Sequence, residues 1–575
     1  MNRGKGRSTS TLGDLAPDFF ARWKATRPEP PSPLPAVKPI RSSSPADGEV
    51  ARKLRDWKRG NGHASNDRDL EVKGQSATGP SRKAATKSSQ TQKKRRKADA
   101  RHDISSQACS RIYRPAPMPS AADREERRGL RERLAEISAD LSALPIAAAM
   151  SRARGYCELP PVIENAEGRL AILGLDFGTA FTKGVVRWAG RHYAVDWSQS
   201  VEGEDRQLLA SVFSEASDGR CALGVQESPG WAVREGIKLR LLNPDSDEPE
   251  GALADAVIFL ALVFRHTSQW LHRATQVPST GVRWRLHVGL PTRSWDDDAT
   301  TETFKTVAQA ARVLACRPEA VTRAAAIAAL KMTHQVDRPA VDVFPEFACQ
   351  LYSYLLSPER RDDLHALVDI GAGTLDVAYF NVFQKDDEAV LPIFASAVER
   401  LGAHYLIAAL AGRTADAGWA DSDSSLSDDE VALKLGCQRH DVSKRRSLYL
   451  SSVAEVFNRV TCDARQAYST SPAIRGEEQI RLFLCGGGSR IPSLRGHFKR
   501  IAGESERRMR VGYQVSSLVK PTDIVTHADS GFDRLSVAYG LSQNAANIGQ
   551  VVRSAMIEPL LPREGLNAKD RDDDR

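Results

Sequence analysis

The chain uses its cysteines sparsely and without pattern. Among 575 residues there are eight, at positions 109, 157, 221, 316, 349, 437, 462 and 485, with no Cys-x-x-Cys pair and no histidine at zinc spacing nearby. That excludes a zinc module or a disulfide framework and predicts isolated, mostly buried thiols in a reducing compartment. No uninterrupted apolar run approaches the roughly 20 residues of a membrane-spanning helix. The N-terminus carries early charge but no apolar core, so no secretory signal is expected. Together these absences point to the cytoplasm, with no membrane contact. The pattern Gly-x-x-x-x-Gly-Lys-Ser/Thr is also missing, which excludes a P-loop.

What is present is unevenly distributed. The net charge of +8 hides a basic front: residues 1–135 hold 31 Lys/Arg against 15 Asp/Glu, which leaves the rest of the chain acidic by 8. Residues 1–118 are rich in Ser, Pro, Lys, Arg and Gly without a sustained period, a composition that cannot bury enough apolar surface to offset chain entropy, so disorder is expected. Within them, Leu15, Phe19, Phe20 and Trp23 fall on one helical face, either a peptide-like docking motif or a chance cluster of aromatics. The run Lys93, Lys94, Arg95, Arg96 and Lys97 is either a solvated tail or an electrostatic contact for nucleic acid or nuclear import. Over 119–150, Leu130, Leu134, Ile137, Leu141 and Leu144 repeat at helical spacing after Asp123, predicting an amphipathic helix that packs either on a partner helix or, the favoured reading, on the chain's own body.

From about residue 168, strand and helix patterns alternate. Strands are expected at 170–175, 183–188 and 192–197, and helices at 252–274, 299–315, 343–356 and 401–412. The acidic stretch 413–430, with Asp416, Asp421, Asp423, Asp428, Asp429 and Glu430, reads as an exposed loop. Three apolar runs end in glycine turns: Asp176-Phe177-Gly178-Thr179, then Asp369-Ile370-Gly371-Ala372-Gly373-Thr374-Leu375-Asp376, then Gly486-Gly487-Gly488-Ser489-Arg490. A strand that ends in Asp-x-Gly sets a carboxylate and bare backbone N–H groups at its tip, which suits a metal–phosphate complex. Two copies of the strand–turn–strand unit, at 170–188 and 366–384, predict a duplicated α/β domain with a cleft between its halves.

These segments resemble the actin/Hsp70/sugar-kinase ATPase superfamily, and within it the Hsp70 nucleotide-binding domain. The first is similar to its phosphate-1 loop, the second to phosphate-2 and the third to its adenosine motif. Trp284 to Pro291 resembles the strand before the first connecting region, and Phe344-Pro345-Glu346-Phe347-Ala348 resembles that region's helix. The resemblance spans residues 168–545 and implies an α/β fold of duplicated actin-like (ribonuclease H-like) halves around a nucleotide cleft, preceded here by the disordered basic extension. It implies ATP and Mg²⁺ as cofactors, with Asp176 and Asp369 holding the metal through water. Gly178, Thr179, Gly371, Gly373 and Thr374 would contact phosphates, and Gly486, Gly487, Gly488 and Arg490 would contact ribose, α-phosphate and adenine. Glu346 would orient the attacking water and Lys238 would reach the γ-phosphate, making Glu346, Asp369 and Lys238 the catalytic set. Arg240 lies close enough in sequence to compete for the role of Lys238, and Lys183 either contacts phosphate or faces solvent. Departures occur at Ala372 and Ala403, where the family has glycine, and at Gly488, where it has serine.

Only a short tail, 546–575, follows, so no peptide-binding domain of the Hsp70 kind is expected. Three function classes follow from the resemblance. The first is an Hsp70-like ATPase whose cleft closure switches binding to a protein partner or, through the basic tail, to nucleic acid. The second is an actin-like filament former of the DNA-segregation type. The third, a small-molecule kinase, is least favoured because no aspartate base is evident on the substrate side.

Overall fold

The computed structural model describes residues 152–552 apart from 203–204, 243–248, 277–280, 292–296, 334–339, 386–387, 412–424, 469–470, 472, 510 and 527–530. The expected basic extension (1–118), the amphipathic helix (119–150) and the tail from 553 lie outside the described residues.

Leu170 to Leu175 is apolar without alternation, the mark of a strand covered on both faces, and it forms most of β1 (Arg169–Phe177). Strands β2 (Phe181–Trp188), β3 (Arg191–Ala194), β4 (Val282–Leu290) and β5 (Val341–Pro345) join it. The second part of the chain supplies β6 (Leu364–Ile370), β7 (Leu375–Asn381), β8 (Glu388–Glu399), β9 (Gln479–Cys485) and β10 (Gly512–Ser516), followed by two short strands, β11 (Ile524–Val525) and β12 (Gln550–Val552). The first sheet runs β5-β4-β1-β2-β3-β11 and the second β10-β9-β6-β7-β8-β12. In both, successive pairs are parallel, parallel, antiparallel, antiparallel and parallel. The protein is therefore α/β, with two mixed sheets of like topology, consistent with duplicated actin-like halves. The last two short strands cross over, one returning to each sheet.

The helices are α1 (Ile237–Leu242), α2 (Pro249–Thr275), α3 (Asp298–Cys316), α4 (Arg323–Met332), α5 (Glu346–Leu355), α6 (Ala403–Ala411), α7 (Asp428–Leu435), α8 (Arg439–Ala467), α9 (Pro492–Met509) and α10 (Phe532–Leu541). Strand alternation sorts the apolar residues into three cores. Leu173 and Leu175 face outward onto α2, α3 and α4. Ala366 and Val368 face outward onto α6, α8 and α9. The inward positions, such as Val185, Leu367 and Phe380, meet α5 and α10, which fill the space between the sheets. Phe347 of α5 stands edge-on to Phe380, with ring centroids 4.8 Å apart. The two middle helices touch through glycine: a Cβ at Gly540 would lie 1.9 Å from the Cys349 carbonyl oxygen, and one at Gly174 on β1 would lie 2.4 Å from the Ala538 carbonyl oxygen.

Several local expectations change. The segment 343–356 is not one helix: Val343 and Phe344 pair with Val288 and Gly289 in the first sheet, and the helix starts only after Pro345. Pro345 has no N–H for a continuing ladder and supplies a backbone φ suited to a helix start. Of the acidic stretch 413–430, Asp428, Asp429 and Glu430 open α7, because Ser427 and Glu430 form a capping box that satisfies the first N–H groups; Asp416, Asp421 and Asp423 lie outside the described residues. Helix α2 is long and apolar enough on average to cross a membrane although its apolar run is interrupted, and 94% of its most apolar stretch is buried inside the protein. The charges that break the run are buried with partners: Asp255 with Arg323 and Arg240, and Arg265 with the Ala315 and Leu159 carbonyls. All described cysteines are free, and Cys157 and Cys462 are exposed where buried thiols were expected.

The glycine contact between the middle helices is open to direct test. Gly540→Ala places a methyl against backbone that cannot rotate away, and is expected to destabilise the chain by about 2–3 kcal/mol. Gly503→Ala, on α9 with open space around it, is expected to stabilise by about 0.5–1 kcal/mol. Thermal melting of both variants beside wild type checks the contrast.

Candidate functional site

On β1, Asp176 shares the inward parity of Gly174, and on β6 Asp369 shares that of Leu367. The C-terminal ends of the two central strands therefore present one carboxylate each to the space between the sheets. A cavity of about 340 Å³ opens there. Every residue to which the resemblance assigns a catalytic, nucleotide-binding or metal role lines it except Gly373; Arg240 does not, and Lys93 to Lys97 lie outside the described residues. Gly373 lies just behind: a Cβ there would sit 3.2 Å from Thr179 Cγ2, so the two glycine turns abut across the halves.

Cross-strand register decides what stands beside each carboxylate. Asp176 is directly opposite Lys183 on β2, and Lys183 Nζ donates to Asp176 Oδ2 at 2.8 Å. Lys183 thus turns into the cavity rather than to solvent. At the equivalent place in the second half, Asp369 is opposite Asp376 on β7. Like charges facing each other across a strand pair repel. Gln350, from α5, donates instead to Asp369 Oδ2. Asp376 Oδ1 is buried without a hydrogen-bond partner among the described residues.

Glu346 begins α5 beside Pro345 and accepts from Lys238 Nζ at 2.7 Å. Its place depends on Gly289, where a Cβ would lie 2.7 Å from Glu346 Cγ. The competition between Lys238 and Arg240 is resolved by α1, which turns Lys238 to the cavity and Arg240 to Asp255, 2.6 Å away.

Six carboxylates line the cavity: Asp176, Glu346, Asp369 and Asp376 gather around two lysines, Lys183 and Lys238, while Asp533 and Asp205 pair with Arg490 and Arg534. Burial pushes the Asp369 carboxyl up to about 6, against a hydrogen bond from Gln350, and nearby Asp176 pushes it the same way. Burial and then the charge of Asp369 raise Asp376 well above the usual carboxylate range. Burial raises Glu346 as well, although Lys238 opposes it. Burial works against charge on Lys238, but Glu346, Asp176 and Asp376 outweigh it, and its pKa is raised. Lys238 is therefore a firmly held cation.

The third segment closes the cavity wall. Gly486 has φ +75°, and a Cβ there would lie 2.2 Å from Asp369 Oδ1. Only glycine meets both demands. At Gly488 a Cβ would lie 2.4 Å from Ile370 Cγ2, so a serine has no room on this backbone. Arg490 makes a two-pronged pair with Asp533 of α10, both bonds 2.9 Å. Ala403 and His404, at the start of α6, donate backbone N–H groups to the Gly371 and Ala372 carbonyls at 2.9 Å, bracing the second turn.

No protein-family model matches this chain, and no curated protein matches its sequence. The likeness to actin-like proteins stands on sheet topology. No group of three His, Cys, Asp or Glu donors that could hold a metal directly occurs among the described residues.

Sequence reading missed Gln350, Asp376 and Asp533 as site residues. Asp376 had a signal, since it follows Asp369 by seven residues as Lys183 follows Asp176. Gln350 had only helical spacing from Glu346. Asp533, 43 residues beyond Arg490, had none.

The cost of holding Asp369 ionised is measurable. Its folded pKa of about 6 lies above the ordinary aspartate range, so its own contribution to stability is greatest at acid pH and falls as pH rises from about 4 through 6, by ~3 kcal/mol at most. Asp369→Asn removes the charge and keeps the shape. It is expected to melt above wild type at pH 7.5, with the gap closing towards pH 4.5.

Proposed function

We propose that this chain is an Hsp70-like ATP-binding protein that hydrolyses ATP to ADP and phosphate and uses cleft closure to switch its hold on a partner. The observation that carries this reading is the pair of equivalent strand tips, Asp176 and Asp369, facing inward beside abutting glycine turns with the Lys238–Glu346 pair in the same cavity.

The site's residues fit a magnesium–triphosphate. Carboxylates outnumber lysines, one buried carboxylate oxygen is unpartnered, and Gly486 leaves backbone open beside Asp369. Asp176 and Asp369 would hold Mg²⁺ through its waters. The ion would supply charge neutralisation for the phosphates. Thr179, Gly373 and Thr374 offer donors to phosphate oxygens, with Lys183 and Lys238 adding positive charge, whereas the N–H groups of Gly178 and Gly371 already donate to the Asp176 and Thr374 carbonyls and these two glycines would serve by letting the backbone come close. Gly486, Gly487 and Gly488 would lie under ribose and α-phosphate, with Arg490 at the base. Glu346, steadied by Lys238, is the acceptor that orients water for attack. The basic segment Lys93 to Lys97 is the candidate arm for nucleic acid, and an unidentified protein is the other candidate partner.

The test is ATP binding and turnover by the full chain with Mg²⁺. Wild type is expected to hydrolyse ATP, and Lys238→Ala and Asp369→Ala to lose about 100-fold or more in kcat while circular dichroism stays unchanged. Light scattering from the same samples separates the switch from the filament former: a rise that needs ATP moves the actin-like reading ahead. A wild type that binds no nucleotide at any Mg²⁺ concentration overturns both.

A further inference from the structure

We infer that Gln350 is a positioning residue that sets the orientation of Asp369, and through it the hold of the second half on the divalent cation. The inference rests on the nucleotide reading above and adds to it a residue outside the glycine turns.

Gln350 is 2% exposed and lies on α5 four residues after Glu346, so both point from the same helix face into the cavity. Its amide nitrogen donates to Asp369 Oδ2. On the other side of the same carboxylate, Gly486 presses so close that a Cβ would fall 2.2 Å from Oδ1. Asp369 is thus clasped on one oxygen by an amide and flanked at the other by bare backbone. With Asp376 directly opposite in register, an unheld Asp369 carboxylate would swing away from its like-charged neighbour.

The amide is suited to this place because it is neutral. A lysine or arginine would neutralise Asp369 and compete with the cation, whereas a carboxylate would add to the negative charge already gathered there. The arm is also stiff. α5 is locked against α10 at Cys349, the residue just before Gln350, through the close approach of Gly540. Since α5 follows directly from β5 of the first sheet and Asp369 ends β6 of the second, this hydrogen bond carries a position from one half into the metal side of the other.

Two measurements on the full chain test it. The first is the Mg²⁺ concentration for half-maximal ATP binding, with kcat and KM at saturating Mg²⁺, for wild type, Gln350→Met (similar shape, no donor) and Gln350→Glu (same length, wrong charge). Gln350→Met is expected to raise the Mg²⁺ requirement about tenfold and to lower kcat with little change in KM for ATP; Gln350→Glu is expected to raise it further. The second is a nucleotide-free melting cycle of Gln350→Met, Asp369→Ala and the double variant, whose shifts are expected to be non-additive because the residues share a bond. Additive shifts overturn the inference, and so does non-additive melting with an unchanged Mg²⁺ requirement, which would make the contact a mere structural tie. Should wild type bind no ATP, the functional reading falls, and the role assigned to Gln350 at the cation falls with it. In that case non-additive melting would still establish the contact itself.

Discussion

Gathering Asp176, Glu346, Asp369 and Asp376 at the meeting of two sheets is the constraint on which the rest of this structure depends. Two lysines cannot neutralise them, and burial raises the pKa of Glu346, Asp369 and Asp376. Each acid is managed differently. Asp176 has a cross-strand lysine, Glu346 has Lys238, Asp369 has a neutral amide, and Asp376 has one oxygen with no partner among the described residues. A protein selected for stability alone would gain by replacing such a cluster with apolar side chains. The surplus of negative charge is therefore the physical reason for reading the cavity as a cation-dependent site.

That cluster can exist only because the sheets come close without merging. α5 and α10 act as the spacer, and besides side chains such as Phe347, Tyr352 and Tyr539 their closest approaches run through Gly540 and Gly174. The same economy appears at the site, where Gly289 admits Glu346, Gly486 admits Asp369 and Gly488 fits against Ile370. These are steric demands of assembly, since each glycine makes room for a group distant in the chain. They also account for one departure from the Hsp70 pattern: serine at 488 would collide with a strand residue of this chain.

The two halves share topology but differ in charge. Lys183 and Asp376 occupy corresponding places, seven residues after the strand-tip aspartate, yet one attracts its neighbour and the other repels it. The first half therefore holds its acid with an ion pair made within its own sheet. The second has to borrow a donor from a helix of the first half. Coupling between the halves is thereby built into the polar site itself as well as into the apolar core.

Much of this was legible because it is local. A strand that ends in Asp-x-Gly announces a carboxylate at a turn, and a repeated strand–turn–strand unit announces a second like half, so Asp176, Asp369 and the glycine turns could be named from sequence alone. The remainder needed tertiary structure. Whether 343–345 was strand or helix depended on a vacant edge beside β4. Which of Lys238 and Arg240 faced the cavity depended on where Asp255 lay, and the partners of Asp369 and Arg490 came from helices that touch them only after folding. The chain's local order determined which residues could serve a charged site; only the packing of two sheets across α5 and α10 decided how their charges would be paired, because electrostatic partners are set by distance in space and not by distance along the chain.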